Sequence, residues 1–280
     1  MCSSDLVLGT RVLTWLLCSA WGLAFVVQKL GLDDADPLWF ATARTVTAAV
    51  ALLPALAVGA PLGRRGHVTA ALLGLTNVTL FLGLQVAGLD HVDSGTAAAV
   101  VFTQPLIVLL LTFVLTGERS RWNRVSGLTI ALLGIFALGL SESLHGSLLG
   151  VAELLGAALA WACGTVLLGR SGSLEIWKLI AAQNLYGCLP LLALTLAFQP
   201  SYQMTPRLVG SVLYVGVIAT AASWLVLALL LRRSNTADVT SSLVWVPVCA
   251  AVFAVVLGHE ALRPLTVAGI TMVVFGSRIT

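Results

Sequence analysis

The sequence predicts an all-α membrane protein: ten transmembrane helices arranged as a five-plus-five inverted-topology repeat. Three observations predict it. The 280 residues are 59% hydrophobic and 10% charged, with a mean hydropathy of +1.00, too little charge to cover the surface of a soluble protein of this length. Apolar runs of a length that crosses a bilayer, roughly 17–25 residues each, follow one another with short polar breaks. Finally, the chain repeats itself without gaps: Gly74 falls on Gly216, Pro105 on Pro247, Glu118 on Glu260, Arg121 on Arg263, Gly127 on Gly269, Thr129 on Thr271 and Gly134 on Gly276. Glycine, proline and charge are costly within lipid-embedded helices, so their joint recurrence marks an internal repeat, and such repeats are a signature of transporters.

The spans follow in order. Span 1, about 12–30, carries Trp15, Trp21 and Gln28 and ends on Lys29; no small-residue cleavage site follows it, so it reads as a retained helix. Span 2, about 38–58, opens at Pro37 and holds Arg44 and Pro54. Span 3, about 68–89, holds Asn77 and Gln85. Span 4, about 95–116, holds Thr103, Gln104 and Pro105 and closes on Gly117-Glu118-Arg119. Span 5, about 123–140, holds Gly127 and Gly134. Span 6, about 148–169, holds Glu153 and Trp161, and span 7, about 177–198, holds Pro190. Span 8, about 208–231, holds Tyr214, Ser223 and Trp224. Span 9, about 237–257, holds Ser241, Ser242, Trp245 and Pro247 and closes on Gly258-His259-Glu260-Ala261; span 10 is about 264–279. The in/out alternation of barrel strands is absent, and runs such as Ala97–Val101 are apolar on every face, as membrane helices are.

Counting cations sets the expected orientation. With the N-terminus inside, the inner segments carry Arg11, Arg64, Arg65, Arg119, Arg121, Arg124, Arg170, Lys178, Arg232, Arg233 and Arg278, and the outer ones only Arg207 and Arg263. Both termini are therefore expected in the cytoplasm. The net charge of +3 reflects this topology and implies no nucleic-acid partner. The halves, residues 1–140 and 141–280, each hold an odd number of spans, so the second copy must cross upside down, and the Glu118 and Glu260 corners face opposite sides.

A cavity is expected between the halves. Proline cannot donate to the carbonyl four residues back, so Pro105 and Pro247 free the carbonyls of Val101 and Leu243; matched interruptions in two halves point to a transporter's site or to paired packing kinks. Polar residues at membrane depth need partners or water. Asn77, Gln85, Gln104, Tyr214, Trp224 and Trp245 therefore suggest a cavity walled by spans 3, 4, 8 and 9, with Trp21, Gln28 and Trp161 added from spans 1 and 6; interhelical hydrogen bonding is the plainer alternative. Lys29 and Arg44 can snorkel to headgroups or draw an anionic cargo. Glu118 and Glu260 end helices, where the dipole disfavours an acid, and are expected to pin corners or to gate.

Enzymatic motifs are missing. The chain has no phosphate-binding loop, no second histidine beside His259-Glu260 for a zinc site, and no Gly-x-Ser-x-Gly. Cys18, Cys163, Cys188 and Cys249 are scattered without ligand spacing. No cofactor and no metal are expected. No acid or histidine lies near the bilayer centre, so a proton relay is not visible. Gly127 and Ala131 offer a close-packing face within the bundle or between two copies, a homodimer.

Trp21-Gly22 with Lys29, Pro37 with Arg44, Pro105, Gly117-Glu118-Arg119, Gly127 with Gly134, Trp161-Ala162, and Pro247 with Glu260 together resemble the EamA-type permeases of the drug/metabolite transporter superfamily. The likeness covers nearly the whole chain; His259-Glu260-Ala261 departs from the Gly-Glu-Arg pattern. It implies an inner-membrane permease with a central cavity of about this make-up, exporting a small-molecule substrate, amino acids foremost. A multidrug or lipid-linked substrate exporter on the same fold, or a non-transporting scaffold or sensor, are the alternatives.

Overall fold

The computed structural model describes residues 3–116, 126–127, 129–130, 132–134, 146–170, 175–233, 243, 245–257 and 264–279. The corner residues Glu118 and Glu260, most of span 5, and Ser241 and Ser242 lie outside the described residues.

Helix α1 runs Ser3–Leu32 and α2 runs Pro37–Leu56, with Pro37 in its first turn, where a missing N–H is harmless. Helix α3, Arg64–His91, contains a π-helical stretch at Gly74–Leu80. Helix α4, Ser94–Leu115, is broken at Phe102–Thr103, immediately before Gln104-Pro105. The described residues between 126 and 134 are helical and are termed α5. Then come α6 (Gly146–Gly169), α7 (Ile176–Phe198) and α8 (Pro206–Arg233). A second π-helical stretch, Tyr214–Ala222, interrupts α8. Helices α9 (Trp245–Val256) and α10 (Pro264–Ile279) follow. Thr205 caps α8 by accepting from the Leu208 N–H at 3.0 Å, with Pro206 behind it.

Among the described residues, seven helices are long and apolar enough to cross a membrane, and two shorter apolar helices, Trp245–Val256 and Val267–Gly276, accompany them. The protein is a multi-span, all-helical membrane protein; its one β contact among the described residues is the single bridge between Ala35 and Tyr202.

Early and late helices pack on one another. Helices α2 and α7 pack along each other, α3 packs on α6 and α7, and α8 packs on α1 and α2. Helix α4 meets α6 and α9, while α9 meets α1 and α4. Gly74, in the first π-helical stretch, lies so close to α7 that a Cβ there would sit 2.7 Å from the Gln183 carbonyl oxygen. Gly216, its match in the second, lies so close to α2 that a Cβ would sit 2.7 Å from the Thr47 Cβ. The two π-helical stretches thus coincide in the repeat register and press on exchanged partners.

At one end of the bundle, the α1–α2 turn is tied to the α7–α8 connection. The Arg207 guanidinium bonds Asp33 and Asp34 at 2.8 Å, Trp39 stacks on Tyr202 with centroids 4.4 Å apart, and the Asp36 N–H donates to the Ser201 carbonyl. At the α2–α3 turn, Lys178 of α7 donates to the carbonyl of Gly59, whose positive φ of 77° makes that turn.

Candidate functional site

A small cavity of about 30 Å³ lies among α1, α2, α3, α4, α6 and α8. Its walls are Trp21, Ala24, Phe25 and Gln28 of α1, Arg44 of α2, Phe81, Leu82 and Gln85 of α3, Val101 and Phe102 of α4, Trp161 of α6, and Ala219 and Trp224 of α8. It has room for a few waters. Any larger solute requires the helices to part.

One end of the cavity is polar. Arg44 sits about two turns into α2 yet is only 5% exposed, because its side chain turns into the bundle instead of snorkelling outward. Its Nη1 donates to Gln28 Oε1 at 2.6 Å and to Gln85 Oε1 at 2.9 Å, and its Nε donates to Thr220 Oγ1 at 3.1 Å. One guanidinium thereby ties α1, α2, α3 and α8. Gln28 is oriented by its own amide, which donates to the Ala24 carbonyl at 2.9 Å. Thr220 lies in the π-helical stretch of α8 and donates back to the Val215 carbonyl at 2.8 Å, which turns its oxygen toward Arg44. Among the described residues, no carboxylate pairs with Arg44.

The other end is aromatic. Trp161 stacks on Phe81 at 4.9 Å and meets Phe102 and Trp21 edge-on at 5.5 and 5.9 Å. Trp21 also meets Trp224 at 6.5 Å. The Trp21 indole N–H donates to the Ala219 carbonyl at 2.9 Å. Ala219 lies in the π-helical stretch, whose wider turn misaligns backbone carbonyls and leaves them open to side-chain donors.

Of the residues singled out from sequence, Trp21, Gln28, Arg44, Gln85, Trp161 and Trp224 meet at this cavity. The others are elsewhere. Asn77 is buried against α7, its amide 3.4 Å from Gln183 Oε1. Gln104 donates to Thr165 of α6 at 2.8 Å. Pro105 follows the break in α4, and Pro247 is buried in the first described turn of α9. The freed Leu243 carbonyl accepts from the Val246 N–H at 3.0 Å. The Tyr214 hydroxyl donates to the Ala20 carbonyl at 3.1 Å. Trp245 is 36% exposed, beside Trp15 at 5.6 Å and under Arg278. Lys29 closes the end of α3, donating to the carbonyls of Leu89, Asp90 and Val92 at 2.8–3.0 Å, a favourable site for a cation at a helix C-terminus.

Sequence reasoning missed Phe81, Phe102 and Thr220. Phenylalanine in an apolar span carries no signal to separate a cavity wall from a lipid face, and Thr220 resembles any helix threonine bonded to its own backbone. Among the described residues, no cluster of three His, Cys, Asp or Glu could hold a metal ion.

Comparison with known proteins agrees with this architecture. The sequence profile of the EamA-like transporter family matches residues 11–140 and 148–280. An uncharacterized transporter of Bacillus subtilis, YvbV, is 30% identical over 95% of this chain and 89% of its own. A probable amino-acid metabolite efflux pump of Escherichia coli is 29% identical over 95% of this chain and 92% of its own. A probable terminal-alkyne amino-acid exporter of Streptantibioticus cattleyicolor is 28% identical over 89% and 85%. A solved crystal structure superposes with a TM-score of 0.69 at 18% identity, covering 97% of this chain and 96% of that one, a likeness of fold alone. With matches across nearly its whole length, the chain belongs to the EamA-like transporter family and is a membrane transporter, not an enzyme.

Proposed function

We propose that the protein is a secondary transporter that exports small metabolites, amino acids foremost, across the inner membrane by alternating access. The observation that carries this reading is the cavity itself. It joins a cationic polar end to an aromatic end, and is too small as described to hold a solute without helix movement. An amphipathic metabolite matches such a pocket, with few polar groups setting orientation and apolar surface supplying affinity. Relatives named for amino-acid efflux support the choice of cargo.

Ten helices in an inverted repeat complete the proposal, residues 1–140 and 141–280 rocking against each other. Its support is the family match to each half separately, the π-helical stretches in repeat register, and the exchange of packing partners. The cation bias argues for both termini in the cytoplasm.

Purified protein in liposomes preloaded with unlabelled amino acids should accumulate labelled amino acid by counterflow. Absence of flux for every amino acid tried would overturn the cargo. An epitope tag after Thr280 detected outside intact cells would overturn the orientation.

A further inference from the structure

We propose that Arg44 is the anchor for a carboxylate on the cargo, and that the protein reads the acid group and not the amino group. The inference rests on the transporter reading above and deepens it to a substrate class: monocarboxylates with an apolar or aromatic body.

The argument begins with charge. A buried cation is costly unless a counter-charge or full hydrogen bonding offsets it. Arg44 is nine-tenths buried and more, and its partners are three neutral oxygens, from Gln28, Gln85 and Thr220. A guanidinium has five N–H donors. Nε and Nη1 are engaged, and no hydrogen bond from Nη2 is seen among the described residues. The Gln85 amide accepts from Arg44 through its oxygen, and no hydrogen bond from its Nε2 is seen among the described residues. Both side chains line the cavity. Two sets of free donors, one of them charged, therefore border the same small space. That is the arrangement a carboxylate completes, because charge-assisted hydrogen bonds are about twice as strong as neutral ones.

The remaining walls decide what else is read. Among the described residues lining the cavity there is no acid, so nothing pairs an ammonium by charge. Trp21, Phe81, Phe102 and Trp161 form an apolar wall for the cargo's body. Cationic drugs meet an uncompensated positive charge at the polar end and are disfavoured.

The test uses the cavity's own tryptophans. Fluorescence of the purified full chain in detergent is titrated with L-phenylalanine, 3-phenylpropanoate and L-phenylalaninamide. We expect the two acids to bind within about threefold of each other and the amide at least about tenfold more weakly, the discrimination of one charge-assisted contact. In Gln85→Glu, an internal carboxylate takes the anchor. Binding of both acids should fall at least about tenfold, while the thermal midpoint is unchanged or raised. Arg44→Gln should bring the acid-to-amide ratio near one, and Arg44→Lys should restore part of it. The proposal is overturned if the amide binds as well as the acids, if 3-phenylpropanoate fails where phenylalanine binds, if Gln85→Glu keeps its acid preference, or if neither acid binds. Because binding is read without flux, failure of the anchor is distinguishable from failure of transport.

Discussion

The indole N–H of Trp21 donates to the carbonyl of Ala219, 198 positions away, at 2.9 Å. This bond fastens α1 to the π-helical stretch of α8 at the cavity wall. Trp21→Phe keeps most of the ring and removes the donor, so it should lower stability by about 1 kcal/mol. Trp21→Ala also opens a cavity and should cost about 3–5 kcal/mol. Thermal unfolding of both variants in detergent checks the order; an unchanged midpoint in Trp21→Phe would show that the hydrogen bond contributes nothing beyond packing.

Gly74 and Gly216 should be intolerant of alanine. At Gly74 the added Cβ would meet backbone of α7, the Gln183 carbonyl oxygen at 2.7 Å and the Gly187 nitrogen at 2.8 Å, and backbone cannot step aside cheaply. Gly74→Ala should lose about 1–3 kcal/mol through overpacking. Gly210 lies in α8 with nothing within 4 Å of an added Cβ, so Gly210→Ala should gain about 0.5–1 kcal/mol of helix propensity. Thermal midpoints of the two variants should therefore move in opposite directions.

Asp34 lies outside the membrane spans, and the hydrogen bond from Arg207, with a second from Thr205, holds its carboxyl down at about 2 from an ordinary 3.8. A carboxylate depressed by folding contributes stability that is present above the ordinary value and is lost as pH falls through the depressed one. In Arg207→Gln the carboxyl should titrate nearer 3.8, so the pH-dependent loss from this group should shrink. Thermal midpoints measured from pH 5 downward check this. Asp34→Asn should show no loss from this group across the same window.

Lys29→Met leaves the carbonyls of Leu89, Asp90 and Val92 without their ammonium. The end of α3 should loosen by about 1–2 kcal/mol. Amide hydrogen exchange should rise in the last turn of α3 and stay unchanged in α7, whereas a general rise would indicate global destabilisation instead.

Much of the architecture was legible because it is written locally along the chain. Apolar length marks spans, and the glycine and proline register that pairs Gly74 with Gly216 reappears in the paired π-helical stretches. The break in α4 was also legible, since Pro105 cannot complete the helix across it. The site was only partly so. Of the residues chosen for their chemistry, Trp21, Gln28, Gln85, Trp161 and Trp224 line the cavity, whereas Asn77 and Gln104 looked equally suited and instead bond Gln183 and Thr165.

The sequence by itself determined that this is a helical membrane protein with a repeated pattern, because hydropathy, proline and glycine act within one or two turns of where they stand. Only the tertiary structure decided that Arg44 turns inward to Gln28, Gln85 and Thr220, and that Phe81 and Phe102 join the aromatic wall. The physical reason is that lipid and protein interior are alike apolar. A membrane helix therefore carries little amphipathic signal for which face looks inward, and that choice rests on packing against distant helices.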